Sequence, residues 1–301
     1  MNTVPERRAA AAFLVQRQVS VRRACQLLGI SRRWLGYRSQ REDPEVEALL
    51  LDLARRYPRY GYRLLHQKLQ RELVKAGNKR KVNVKKVRRL CQVHGLTLLR
   101  KRRKKRRGIG VGVPCRAEYP NHVWAYDFVF DACANGRALK ILTIEDEFTR
   151  EGLEIAVEHR MGAKYVVRAL RRLFGERGTP AFVRSDNGPE FIARALMEML
   201  TECGVACRHI EPGSPWQNGK NERFNGTLRS ECLDLETFAH RDQARAVCRL
   251  YRREYNTQRP HSSLGYLTPA EFAARHGPAA PAPVSAAPRP ALPPQAHAGP
   301  S

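Results

Sequence analysis

What most restricts the fold of this chain is a change of hydrophobic rhythm near residue 120. Trp124 to Phe130 alternates as a strand does, and Ala134-Asn135-Gly136 reads as a turn. Leu139 to Ile144 and Leu153 to Val157 read as two further strands, making a three-stranded meander. Val166, Val167, Leu170, Leu173 and Phe174 then recur at helical spacing, with Gly175 or Gly178 ending that helix. Ala181 to Arg184 is a fourth strand, Pro189 opens a helix reaching about Cys203, and Val205 to His209 is a fifth strand. A loop with Pro212, Gly213 and Pro215 leads into a helix bearing Glu222, and helices near 239–256 and 268–275 close a domain over 118–276. The expected class is α/β, a mixed five-stranded sheet with helices in the order βββαβαβα.

The front of the chain is different in kind. Residues 1–110 hold 31 Lys and Arg against 7 Asp and Glu, a net of +24 out of +26 for the whole chain. A folded basic module points to a polyanion, most often nucleic acid, because neutralised phosphates release counterions. Residues 20–39, within a first segment 1–42, read as a helix-turn-helix in an all-α DNA-binding region. Ser20 caps one helix, Gly29 makes the turn, and Ser31 caps a second helix with Arg32 and Arg33 in its first turn. Trp34, Leu35 and Tyr37 are its packing candidates; an ordinary αα-hairpin is the alternative. Residues 43–99 read as a second helical DNA-binding region, with helices started at Asp43-Pro44, after Gly61 and at Asn83, the last stopping at Gly95. Segment 100–117 begins with an unbroken cationic run, Arg100, Lys101, Arg102, Arg103, Lys104, Lys105, Arg106 and Arg107. Self-repulsion opposes its compaction, so it reads as an arm along a phosphate backbone, or as a nuclear signal in a eukaryotic source. Residues 277–301, rich in Ala and Pro, read as a disordered tail.

Eight cysteines show no CxxC pair and look like small buried residues of a reducing compartment. No secretory leader and no stretch of about 20 apolar residues is visible, which predicts a cytoplasmic protein with no membrane partner. There is no GxxxxGK[ST] loop and no Ser-His-Asp or Cys-His arrangement.

Three carboxylates stand out instead. Asp127 interrupts an apolar strand, on the face shared by Val123, Ala125 and Val129, where a lone carboxylate is costly unless paired or bound to metal. Asp186 follows the fourth strand in Ser-Asp-Asn-Gly-Pro-Glu-Phe, although Asp-Asn-Gly is also good turn chemistry. Glu222 lies about 200° of helix rotation from Phe224, so it faces away from Phe224, Leu228 and Cys232. It shares a stripe with Asn218, Gly226 and Arg229, and Arg229 is placed to hold a phosphate; an exposed surface Glu is the plainer reading. Hard divalent ions such as Mg²⁺ prefer carboxylate oxygens, and a pair of them supports in-line phosphoryl displacement without a protein nucleophile.

The strand and helix order is that of an RNase H-like fold, and the motifs resemble a family. Trp-Ala-Tyr-Asp-Phe around Asp127, Ser-Asp-Asn-Gly-Pro-Glu-Phe around Asp186 and Gln-Asn-Gly-Lys-Asn-Glu-Arg-Phe-Asn around Glu222 are similar to the DDE transposases and integrases, with the 35-residue gap of the integrase-like branch. Tyr255-Asn256, Arg259-Pro260-His261 and Leu267 to Phe272 resemble the end of an insertion-sequence transposase core. Arg59 to Arg63 and Val82 to Leu96 resemble the helical domain that precedes it. The chain is thereby similar to the second-frame product of insertion-sequence family three. The resemblance implies an integrase catalytic core in which Asp127, Asp186 and Glu222 bind two Mg²⁺ ions, with Mn²⁺ as a substitute. It implies that Gln217, Asn218, Lys220 and Arg229 contact the DNA end. It further implies cleavage of double-stranded DNA at element ends, strand transfer to a target, a homo-oligomer on DNA, an upstream-frame product as fusion or partner, and a place at the bacterial nucleoid. A DNA-binding regulator and a purely hydrolytic nuclease are the rival readings.

Overall fold

The computed structural model describes residues 4–36, 43–98, 117–185, 193–209 and 221–277. The cationic run 100–107 and the tail after 277 lie outside these residues. The chain forms two compact units, Met1–Asp52 and Leu53–Ser301.

In the first unit, α1 (Val4–Gln16), α2 (Val21–Leu27) and α3 (Arg32–Gly36) bury Ala11, Ala24 and Cys25. The expected caps form: the Ser20 hydroxyl accepts from the Arg23 amide at 3.3 Å and Ser31 from the Trp34 amide at 3.2 Å. Gly29, at φ +60°, makes the turn between them, a conformation that a side chain disfavours. Helix α1 lacks an apolar stripe and was not anticipated from the sequence. Trp34 is a correction: it is 51% exposed rather than packed.

Helix α4 (Pro44–Arg56) buries Val46, Leu50 and Leu53 at i, i+4 and i+7. In the second unit, α5 (Tyr62–Lys75) buries Leu65, Leu69 and Leu73, and α6 (Val84–Val93) starts where Asn83 accepts from the Lys85 amide at 2.8 Å. These helices belong to the same unit as the sheet. Arg71 of α5 makes a bidentate pair with Glu271 at 2.9 and 2.7 Å.

The sheet has β1 (Val123–Ala132), β2 (Ala138–Asp146), β3 (Gly152–Glu158), β4 (Phe182–Ser185) and β5 (Ala206–His209) in the order β3-β2-β1-β4-β5. The first three strands are antiparallel; β4 pairs parallel to β1, and β5 parallel to β4. This is the RNase H-like arrangement the sequence led us to expect, with β1 central. Helix α7 (Ala163–Arg177) runs through Gly175 and ends at Gly178; α8 is Arg194–Glu202.

Pleat alternation sorts the strand residues between two cores. On one face Trp124, Tyr126, Leu142, Ile144 and Val183 pack with Leu170 and Leu173 of α7 and Leu196 and Leu200 of α8. On the other, Val129, Leu139, Ile141, Ile155 and Val157 pack with α9 (Asn221–Glu231) through Phe224 and Leu228. They also pack there with α10 (Arg241–Thr257) through Ala244, Cys248, Tyr251 and Tyr255. Short 3₁₀ turns at Leu233–Leu235 and Ser262–Leu264 lead on to α11 (Pro269–His276), which opens with a capping box between Thr268 and Glu271.

Candidate active site

The β2–β3 turn supports the site from one end. Asp146 is fully buried and accepts from the amides of Asn121 (2.8 Å), Phe148 (2.7 Å) and Thr149 (3.1 Å). Burial raises its carboxyl above the usual range, against the pull of those amides. Next to it, Glu147 pairs with Arg184 of β4 at 2.6 Å, both side chains buried.

Asp127 is the fifth residue of β1. Its pleat position turns it toward the α9 face, opposite Thr143 in the antiparallel register. One carboxylate oxygen accepts from the Phe128 amide at 2.7 Å, the other from the Asn225 side-chain amide at 2.9 Å. The Asn225 carbonyl accepts from the Thr143 hydroxyl at 2.8 Å. Thr143, Asn225 and Asp127 therefore form one relay that ties α9 to the centre of the sheet.

Glu222 lies in the first turn of α9, three residues before Asn225, and is exposed. Residues three apart on a helix are neighbours, about 5–6 Å between Cβ atoms. Glu222 therefore sits on the flank of α9 whose next turn touches Asp127. The parallel register pairs Ala125 with Arg184, which brings the end of β4 level with Asp127. Asp186 follows that strand by one residue of sequence beyond Ser185, and itself lies outside the described residues. Among the described residues no three His, Cys, Asp or Glu side chains cluster closely enough to hold a metal ion. Asp127 and Glu222 nonetheless supply hard oxygen donors suited to Mg²⁺.

The other expected contact residues divide. Arg32 and Arg33 are exposed in the first turn of α3. Arg229 donates to the Phe130 carbonyl and lies 3.9 Å from Asp234, so it braces the end of β1. Gln217, Asn218, Lys220 and the run Lys101 to Arg107 lie outside the described residues. Asn225 and Thr143 were missed from the sequence. Asn225 stood in the motif around Glu222, at the i+3 position that would have marked it.

Family models match in three places: an HTH-like domain over residues 40–105, and an integrase core domain over 117–215 and again over 203–269. A 31.7 kDa protein of insertion element IS407 from Burkholderia multivorans is 44% identical over 271 residues, 89% of this chain and 95% of that one. The chain belongs to the insertion-sequence transposases that carry an integrase core. A 39.2 kDa protein of element IS476 from Xanthomonas euvesicatoria is 43% identical over 90% of this chain and 77% of its own length. The transposase for element IS904 of Lactococcus lactis is 27% identical over 63% of this chain and 80% of its own. Among solved structures, a chain of the simian T-cell lymphotropic virus intasome in complex with PP2A regulatory subunit B56 gamma aligns at 18% identity and a TM-score of 0.48, over 84% of this chain and 79% of that one. The HTH-like match in this transposase spans α4, α5 and α6. No helix among the described residues is long and apolar enough to cross a membrane.

Proposed function

We propose that this transposase cuts double-stranded DNA at the ends of its element and joins the freed strand to a target, with Asp127, Asp186 and Glu222 as the catalytic carboxylates. The observation that carries this reading is the hydrogen bond from Asn225 to Asp127, which brings the helix of Glu222 against the strand of Asp127. Two Mg²⁺ ions, or Mn²⁺ in their place, would be held by the three carboxylates and supply activation of the attacking oxygen and charge neutralisation at the phosphate.

The chain's own part is positional. The amide of Phe128 and the side chain of Asn225 fix the two oxygens of Asp127 before any substrate arrives. Glu222, exposed and without a hydrogen-bond partner among the described residues, would turn toward the same point. Arg32 and Arg33 meet DNA at the front, Lys101 to Arg107 track its backbone, and Gln217, Asn218, Lys220 and Arg229 hold the end being cut. The parts of the chain take the roles read from the sequence: helix-turn-helix to 42, helical region to 99, basic arm to 117, catalytic core to 276 and tail beyond. The working form is a homo-oligomer on DNA at the bacterial nucleoid, with an upstream-frame product as fusion or partner.

Labelled element ends incubated with the protein and Mg²⁺ test this. Wild type is expected to give joined products, and Asp127→Asn, Asp186→Asn and Glu222→Gln are each expected to lose at least 100-fold of joining, on the order of one removed transition-state contact, while binding DNA normally. Joining at the wild-type rate by all three variants refutes the assignment. Cut but never joined ends would make the enzyme a nuclease.

A further inference from the structure

Helix α9 has two flanks. Glu222 and Asn225 occupy one; Arg223 and Thr227 lie on the other, where a cavity of about 450 Å³ opens. The start of α5, the end of α10 with the loop after it, and Glu145 and Arg150 at the β2–β3 turn form its remaining walls. Three independent observations mark it as built for a ligand.

The first is charge. Arg259 is committed to Glu231 by hydrogen bonds of 2.7 and 2.6 Å, and Arg150 lies 3.7 Å from Glu145. Arg63 and Arg223 remain, both exposed and neither paired with a carboxylate among the described residues. The second is the amino terminus of the 14-residue α5. Its cap, Gly61, offers no side-chain acceptor, and the amides of Tyr62, Arg63 and Leu64 have no partner among the described residues. Such amides and the helix dipole favour an anion. The third is His261. It lines the cavity, is 7% exposed and packs edge-on against Tyr255 at 4.7 Å, and its buried Nε2 has no hydrogen-bond partner among the described residues. A buried polar atom left unpaired in the free protein is one a ligand can satisfy.

We propose that this cavity receives one nucleotide of the DNA strand on which the transposase acts, its phosphate at the α5 amino terminus between Arg63 and Arg223 and its sugar or base within reach of His261 Nε2. Volume argues for more than a phosphate, since sites for whole small ligands run from about 300 to 1,000 Å³. The rings of Tyr62 and Tyr266, which also line it, offer apolar surface for a sugar or base. The inference rests on the reading that the chain acts on DNA. It adds a second point of attachment on the flank of α9 away from Asp127.

The full chain is tested with a short duplex carrying 4-thiothymidine in a frayed end. Arg63→Gln and Arg223→Gln are each expected to weaken binding roughly tenfold and to lower the slope of log affinity against log salt by about 1. Arg249→Gln removes the same charge from an exposed position on α10 outside the cavity and is expected to change neither. Irradiation is expected to attach the strand to peptides holding Tyr62, His261 or Tyr266. Equal losses in all three variants, or attachment only elsewhere, overturn the proposal. A deoxynucleoside monophosphate or inorganic phosphate that shifts the His261 ring resonances while duplex DNA does not would make the occupant a free anion, which also overturns it. If DNA binds and attaches here but is never joined, the joining reading falls and the cavity stands. If ends are joined and the cavity variants match Arg249→Gln, the cavity falls alone.

Discussion

A carboxylate in the middle of a buried strand needs a reason, and at Asp127 the reason is shared among three side chains. Asn225 donates to Asp127 and accepts from Thr143, so its two ends hold two strands and a helix in one register. Asn225→Leu keeps the bulk and deletes both bonds, leaving the Thr143 hydroxyl only its 3.2 Å bond to the Asp127 main-chain carbonyl and taking one donor from the Asp127 carboxylate. The expected loss of folding stability is about 1–2 kcal/mol, with at least a tenfold drop in strand joining. Urea unfolding and the joining assay check the two parts separately. A variant destabilised by that amount but joining at the wild-type rate would show that the relay braces the fold without aligning the carboxylate.

At the scale of elements, the position of α9 depends on a glycine in a neighbouring strand. A Cβ at Gly152 would stand 3.0 and 3.2 Å from ring atoms of Phe224, whose ring is buried and edge-on to Tyr255 at 4.9 Å. Asn256 of α10 holds the same residue through both backbone groups, at 2.8 and 3.0 Å. The backbone there has little room to retreat, so Phe224 must move and carry the start of α9 with it. Gly152→Ala is expected to destabilise the protein by about 1–3 kcal/mol and to reduce joining, since Glu222 lies two residues from Phe224. Unchanged thermal unfolding would mean that the ring has room to rotate aside.

These elements differed in how far the sequence disclosed them. The alternation on β1 announced which residues face which core, because side-chain parity is a local property of a strand. Ser20, Ser31 and Asn83 announced helix starts for the same reason: a cap acts within three residues. The pairing of Asp127 with Thr143 was not legible, because register is set between strands. Gly152 gave no warning of Phe224, 72 residues away in sequence. Helix α1 had neither an apolar stripe nor a clear cap, and Trp34, a packing candidate in the sequence, is 51% exposed.

At the scale of the molecule, the second unit is closed by a polar seam as well as by its cores. Arg71 clasps Glu271, Lys68 reaches Gln258 at 3.5 Å, and buried Arg259 holds Glu231 close to Tyr60. His261 sits in this seam and connects folding to protons. Burial first, then the Arg259 and Arg150 cations, lower its pKa from 6.5 to about 3, against a single backbone hydrogen bond at Tyr255 that raises it. Below pH 6.5 the unfolded chain takes up a proton at this ring that the folded chain refuses. Stability from this group is therefore complete above about pH 6.5 and declines as the pH falls toward about 3. By about pH 5 the loss amounts to about 2 kcal/mol. His261→Gln removes the titration, so its stability relative to wild type is expected to improve by that amount between about pH 7.5 and pH 5 in urea unfolding. Wild type and variant curves that stay parallel across this window would mean that the folded ring takes up its proton at the same pH as the unfolded one, so that burial in the seam does not exclude it.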